Sequence, residues 1–107
     1  MQHTGIVTTK REFEPGQRVW IDGRDVEADP PLTVRRINLW DLDPVPGSAR
    51  GRVLRSLNHG TAVKVMDARF LEGENRWYYR VRYRMKAGWV PGRFLCGERP
   101  GVLGELV

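Results

Sequence analysis

One segment of the chain, residues 76 to 86, alternates strictly between two kinds of side chain. One set is aromatic or aliphatic: Trp77, Tyr79, Val81, Tyr83 and Met85. The other set is basic except for one tyrosine: Arg76, Tyr78, Arg80, Arg82, Arg84 and Lys86. Successive side chains of a β-strand point to opposite faces of the sheet, so this alternation has the period of a strand. We predict a strand with its aromatic face toward a core and its basic face toward water.

The remaining pattern predicts several more short strands and no amphipathic helix. Turn residues such as Pro15-Gly16 and Asp22-Gly23 separate the apolar segments. The predicted strands cover residues 18 to 22, 32 to 39, 61 to 66 and 76 to 86, with a 3₁₀ turn at 91 to 95 before a last pairing segment. Residues 41 to 48 are predicted as a long surface loop, and residues 67 to 75 as a polar connection. Short strands at this spacing are typical of a small all-β barrel.

Composition limits the class of protein. At 107 residues the chain is long enough for one modest core and one domain. The single cysteine, Cys96, excludes an intrachain disulfide and a zinc site built from cysteines. Neither a membrane-spanning apolar segment nor a secretory signal is present, so we predict no membrane insertion, and a cytoplasmic location if the chain is complete. For an excerpt of a secreted protein, the location stays unknown.

The order of short motifs between residues 32 and 95 provides a family resemblance. The motifs are Ile37-Asn38-Leu39-Trp40, Leu57-Asn58-His59-Gly60-Thr61, Trp77-Tyr78-Tyr79-Arg80-Val81-Arg82, Gly88-Trp89-Val90 and Phe94-Leu95. In this order they resemble the bacterial SH3 family, called SH3b. The resemblance implies an SH3-like β-barrel without enzymatic activity that recognises peptides, commonly cell-wall peptides. We place the barrel at residues 32 to 97, an N-terminal β-hairpin extension packed on it at 1 to 31, and an irregular tail at 98 to 107.

A candidate ligand groove combines aromatic and basic residues. We predict that Trp40, Tyr78 and Trp89 line it and that Arg80 and Arg82 supply charge to a peptide or acidic partner. For each tryptophan, structural packing is the competing interpretation. The basic residues of the segment 76 to 86 also fit two other interpretations, a solvated strand face and a surface for single-stranded nucleic acid.

No arrangement of residues predicts catalysis. Neither His3 nor His59 is placed beside a nucleophile such as Cys96 by the sequence, and a phosphate-binding glycine motif is lacking. Asp41 and Asp43 have a spacing found in calcium loops, but further oxygen ligands at the expected offsets are lacking, so turn capping is the favoured explanation. We therefore predict a monomeric binding module with no enzymatic activity, no metal and no cofactor. A nucleic-acid-binding barrel is the first alternative, and an assembly module that uses the Phe13 to Asp22 hairpin is the second.

Overall fold

The structure is a computed structural model, and it describes residues 12–25, 29–30, 32–41 and 51–102. These residues form short strands and one 3₁₀ turn, Gly92–Phe94, which lies inside the predicted segment 91 to 95. The strands are β1 (Arg18–Ile21), β2 (Arg24–Asp25), β3 (Leu32–Thr33), β4 (Arg36–Trp40), β5 (Val53–Asn58), β6 (Ala62–Leu71), β7 (Arg76–Tyr83), β8 (Lys86–Pro91) and β9 (Leu95–Cys96). The predicted loop at 41 to 48 lies outside the described residues except for Asp41.

Seven of these strands form one curled antiparallel sheet, in the order β5-β4-β8-β7-β6-β1-β9. A second, two-stranded sheet joins β2 to β3. The curled sheet makes a half-barrel, which confirms the all-β, barrel-like fold class. β1, from the segment predicted as an extension, is hydrogen-bonded between β6 and β9 in the main sheet. Among the described residues, no helix is long and apolar enough to cross a membrane.

The inner face of the sheet carries the main core, as the alternation in residues 76 to 86 predicts. Tyr79 and Val81 of β7 are fully buried there. The other buried members of this core are Phe13, Val19, Ile21, Ile37, Leu39, Leu57, Val63, Val65, Val90 and Leu95. Trp77 is half-buried and packs against the same core. The strand and its inward face are therefore confirmed.

Two residues of this segment do not follow the predicted alternation. Tyr78 was expected among the solvent-facing residues, but only 1% of it is exposed, in a small second cluster with Leu71 and Trp89. Met85 was expected to point inward, but it is 89% exposed. The second error arises because β7 ends at Tyr83 and the chain turns before β8 begins.

β6 is longer than the sequence suggested. The strand continues to Leu71, so most of the predicted connection at 67 to 75 is paired with β7. The register shifts between Val65 and Asp67, a β-bulge that leaves Met66 as the extra residue. The bulge moves the inward positions from odd to even numbers, so Ala68 lies opposite the buried Tyr79. The period of two is interrupted at this point, which is why the predicted strand ends at residue 66.

The predicted strand at 32 to 39 is two strands with different partners. β3 pairs with β2, whereas β4 pairs with β5 and β8. Leu32 is 55% exposed, whereas Ile37 and Leu39 enter the core. The inward positions of β4 therefore have odd numbers, and the even positions face away from the core.

Candidate binding groove

The outward side chains of β4 form one wall of a surface groove. Because Ile37 and Leu39 point into the core, Arg36, Asn38 and Trp40 point to the opposite face of the sheet. β8 runs antiparallel beside them, since Trp40 pairs with Trp89.

Gly88 lets β4 and β8 approach each other closely. A Cβ atom at this position would lie 2.8 Å from Leu39 Cβ and 3.0 Å from the carbonyl oxygen of Trp40. Real Cβ atoms essentially never make contacts under 3.0 Å, so a larger residue would force the two strands apart. The glycine of the Gly88-Trp89-Val90 motif thus has a packing role, because it allows the close pairing of β4 with β8.

The groove is open and has a volume of about 290 Å³. Its apolar lining includes the half-buried rings of Trp40 and Phe94, together with Pro91. Arg36 and Arg93 add two guanidinium groups to the same lining. The groove therefore offers aromatic surface and positive charge side by side.

Three contacts hold polar side chains of the lining in place. The guanidinium of Arg93 lies 3.5 Å from the carboxylate of Asp25 and 4.7 Å from the centre of the Phe94 ring. Asn38 accepts a 2.6 Å hydrogen bond from the hydroxyl of Ser56 on β5. Side chains fixed in this way lose less conformational entropy when a ligand binds.

Two of the predicted site residues, Trp40 and Tyr78, meet in this groove. The Tyr78 hydroxyl donates a 2.6 Å hydrogen bond to Glu74, in the turn between β6 and β7. With 1% of its surface exposed, the Tyr78 ring supports the floor of the groove and has no free face for stacking. Tyr78 therefore contributes to the groove as a buried support.

The other three predicted site residues lie elsewhere. Trp89 is 5% exposed, packs with the cluster of Leu71 and Tyr78, and is not part of the groove lining. Arg80 is exposed opposite Asp67, and Arg82 is exposed opposite Lys64. The predicted arginines are thus on the surface, but the groove takes its charge from Arg36 and Arg93.

Phe94 and Arg93 were not predicted as groove residues. A signal was present, because they directly follow Pro91-Gly92, a turn that brings the chain back over the sheet. Arg36 was considered only as a member of the second strand. Its place in the groove depends on the register of β4 against β8, which joins residues far apart in the sequence.

A second polar cluster gathers around Asp22 at the end of β1. His59 accepts a 2.9 Å hydrogen bond from the Gly23 N–H at Nδ1, so its Nε2 carries the proton and donates to the Gly101 carbonyl at 2.6 Å. Burial, reinforced by the charge of Asp22, raises the pKa of the Cys96 thiol. The thiol donates to the carbonyl of Glu98. These contacts link segments that are far apart in the sequence. Each imidazole nitrogen of His59 is hydrogen-bonded to a backbone group.

Asp22 gives the fold a pH dependence. Burial alone would raise the pKa of Asp22, but hydrogen bonds from the Arg24 side chain and N–H, and the charge of Arg24, outweigh it and lower the pKa below 3.8. A lowered pKa stabilises the fold above the unfolded value, and this contribution is lost as pH falls through the folded value. We expect Asp22→Asn to cost about 1–2 kcal/mol of unfolding free energy at neutral pH, and the cost to shrink as pH falls below about 4.

Urea unfolding of both proteins between neutral and acidic pH measures this effect. Glu98→Gln, at an exposed position, is the matched control and should cost little at any pH. A cost for Asp22→Asn that is constant with pH would contradict the assigned ion pair of Asp22 with Arg24, whose atoms lie 2.6 Å apart.

No protein-family model, curated protein or solved structure matches this chain. The fold and the groove therefore define a class only: a small all-β half-barrel with an aromatic and basic groove on its outer face. The resemblance to the SH3b family stays a prediction that rests on the order of the motifs.

Proposed function

We propose that this protein is a non-enzymatic binding module that holds an extended peptide with an acidic side chain in the groove between β4 and β8. The observation that supports the proposal most is the composition of the lining. Rings of Trp40 and Phe94 lie in the same open groove as the guanidinium groups of Arg36 and Arg93. Extended and polyproline II peptides dock into aromatic-lined grooves because their ordering cost is already low.

The charge of the groove supports an acidic ligand. None of the described lining residues is acidic. Arg36 is exposed and has no ion pair with any described residue, whereas Arg93 is already oriented by Asp25. An arginine fork can take a carboxylate through two parallel hydrogen bonds. An Asp or Glu side chain of the peptide, or its terminal carboxylate, would complete this arrangement.

The volume of the groove limits the length of the peptide. About 290 Å³ is at the lower end of the range for ligand pockets. It accommodates a few side chains and not a folded partner. A wall peptide, as implied by the SH3b resemblance, and an acidic protein tail both meet these requirements.

The assembly alternative has less support. The segment Phe13 to Asp22 was its proposed partner surface, but Phe13, Val19 and Ile21 are buried in the protein's own core. Their apolar side chains are therefore not offered to another chain.

Selection from a random peptide library followed by calorimetry tests the proposed function. We expect the selected peptides to carry Asp or Glu. Trp40→Ala should weaken their binding about tenfold or more, because a truncated aromatic contact commonly costs over 1 kcal/mol. Arg36→Gln should weaken binding of the acidic peptide but not of its amide analogue.

Arg35→Gln is the matched control, since this exposed neighbour of Arg36 is not part of the groove lining. Comparing selected peptides with purified wall peptides distinguishes the two ligand sources. Peptides that bind equally well to Trp40→Ala and to the unmodified protein would place their site elsewhere and refute the proposal.

A further inference from the structure

A row of three cations crosses three neighbouring strands on the outer face of the sheet, away from the groove. Arg18 of β1 lies directly opposite Lys64 of β6, and Lys64 lies directly opposite Arg82 of β7. Directly paired residues of an antiparallel sheet have Cα atoms about 5 Å apart and side chains on the same face. All three side chains are exposed. We call Arg18, Lys64 and Arg82 the cationic row.

The cationic row is unfavourable for the protein alone. Like charges directly opposite each other destabilise a sheet. Further along β6 and β7, the next outward pair, Asp67 with Arg80, has opposite charges, which is the ordinary arrangement. Within the part of the chain that the structure describes, none of the three cations has an acidic partner. An anion bound from solution would remove this repulsion.

More positive charge surrounds the row. An open pocket of about 530 Å³ is lined by Arg18, Lys64, Arg82 and Arg84, and its described lining contains no acidic residue. The Arg82 side chain is oriented by a 2.8 Å hydrogen bond from its Nε to the Arg84 carbonyl, which leaves its terminal NH₂ groups for a ligand. Arg84 and Arg55 each lie 5.1 Å from the centre of the Tyr83 ring. Tyr83 also lines the pocket, so its ring holds these two guanidinium groups near the edge of the pocket.

Aromatic surface lies beside the row. Trp20 follows Arg18 by two residues on β1, so it is on the same outer face, about 7 Å along the strand. Its ring is partly exposed, and its partner across the sheet, Ala62, also lines the pocket. Cations that follow a phosphate backbone, together with an aromatic ring on which a base can stack, are the two components of single-strand recognition.

We propose that the cationic row and Trp20 form a binding surface for single-stranded nucleic acid, separate from the peptide groove. Arg18, Lys64, Arg82 and Arg84 contact phosphates, and Trp20 stacks on a base. Four phosphate contacts predict that log K falls with log salt with a slope of about −3, since each contact contributes about −0.7 for a single strand.

Fluorescence anisotropy with a labelled oligothymidylate and the matching RNA tests this surface. We expect binding at low salt with the slope given above. The triple variant Arg18→Gln, Lys64→Gln, Arg82→Gln should bind about a hundredfold more weakly at about 0.1 M salt, because each phosphate contact is worth about fivefold there. Trp20→Ala should weaken binding with little change in the slope, because stacking does not release counterions.

A charge-matched control removes three exposed arginines elsewhere: Arg35→Gln, Arg52→Gln and Arg99→Gln. It should bind nearly as well as the unmodified protein, as should the groove variant Trp40→Ala, which keeps failure of this proposal distinct from failure of the peptide proposal. Because the row is repulsive, its triple variant should melt at the same temperature as the unmodified protein or above it.

Three results would overturn the proposal. One is equal loss of affinity in the row variant and the charge-matched control, which would mean that net charge alone attracts the oligonucleotide. Another is a lowered melting temperature of the row variant, which would make the row a structural element. The third is tighter, row-dependent binding of polyglutamate than of either oligonucleotide, which would assign the surface to an acidic protein.

Discussion

Gly23→Ala is expected to destabilise the protein by about 3–5 kcal/mol, a large part of the stability of a domain of this size. A Cβ atom at residue 23 would overlap the carbonyl oxygen of Val34, a backbone atom that no side-chain rotation can move away. Separating the two segments would lengthen the 2.7 Å hydrogen bond from the Val34 N–H to the Gly23 carbonyl. It would also disturb the hydrogen bond from the Gly23 N–H to His59.

Urea unfolding measures this cost, and Gly97→Ala is the matched control. A Cβ atom at Gly97 would meet its nearest neighbour, the Phe13 ring, at 3.7 Å, an ordinary van der Waals distance. We therefore expect Gly97→Ala to change the free energy of unfolding by about 0.5 kcal/mol or less. Similar costs for the two variants would mean that the backbone of Val34 does not lie so close to Gly23.

Tyr79→Ala is expected to cost about 3–5 kcal/mol, because it would leave a large cavity in the centre of the core. The side chain is fully buried, with the Phe13 ring edge-on at 5.2 Å and the Trp77 ring stacked at 6.2 Å. Its hydroxyl accepts a 3.1 Å hydrogen bond from the N–H of Glu12. The residue thus joins β7 to the segment that precedes β1.

One further variant isolates the contribution of the Tyr79 hydroxyl to this cost, and another serves as a surface control. Tyr79→Phe removes only the hydroxyl and should cost about 0.5–1.5 kcal/mol. Arg80→Ala, at the exposed neighbouring position, should cost about 0.5 kcal/mol or less. The free energy of unfolding from urea titrations gives all three values. If Arg80→Ala cost as much as Tyr79→Ala, the inward and outward faces of β7 would be assigned wrongly.

The groove shows why a binding site is harder to predict than a strand. Trp40 could be singled out from its position beside a loop rich in proline, and it does line the groove. Its neighbours Phe94 and Arg93 come from the opposite end of the barrel sequence and reach it through the pairing of β4 with β8. Register is set by the packing of whole strands, so no local pattern reports it.

Tyr78 and Tyr79 show the same limit within one strand. The alternation assigned Tyr79 to the core and Tyr78 to water, and only the first assignment is right. A tyrosine can satisfy either environment, since its ring is apolar and its hydroxyl polar. The hydrogen bond to Glu74 and the packing with Leu71 and Trp89 decide for burial.

By itself, the sequence determined the all-β class, the strand at β7 and the inward position of Tyr79, because the period of two and the turn residues are local properties of the chain. Tertiary structure alone decided the bulge at Met66, the burial of Trp89 and the row formed by Arg18 with Lys64 and Arg82. Each of these depends on which strand lies next to which, and side chains that meet across a sheet leave no shared signal in one sequence.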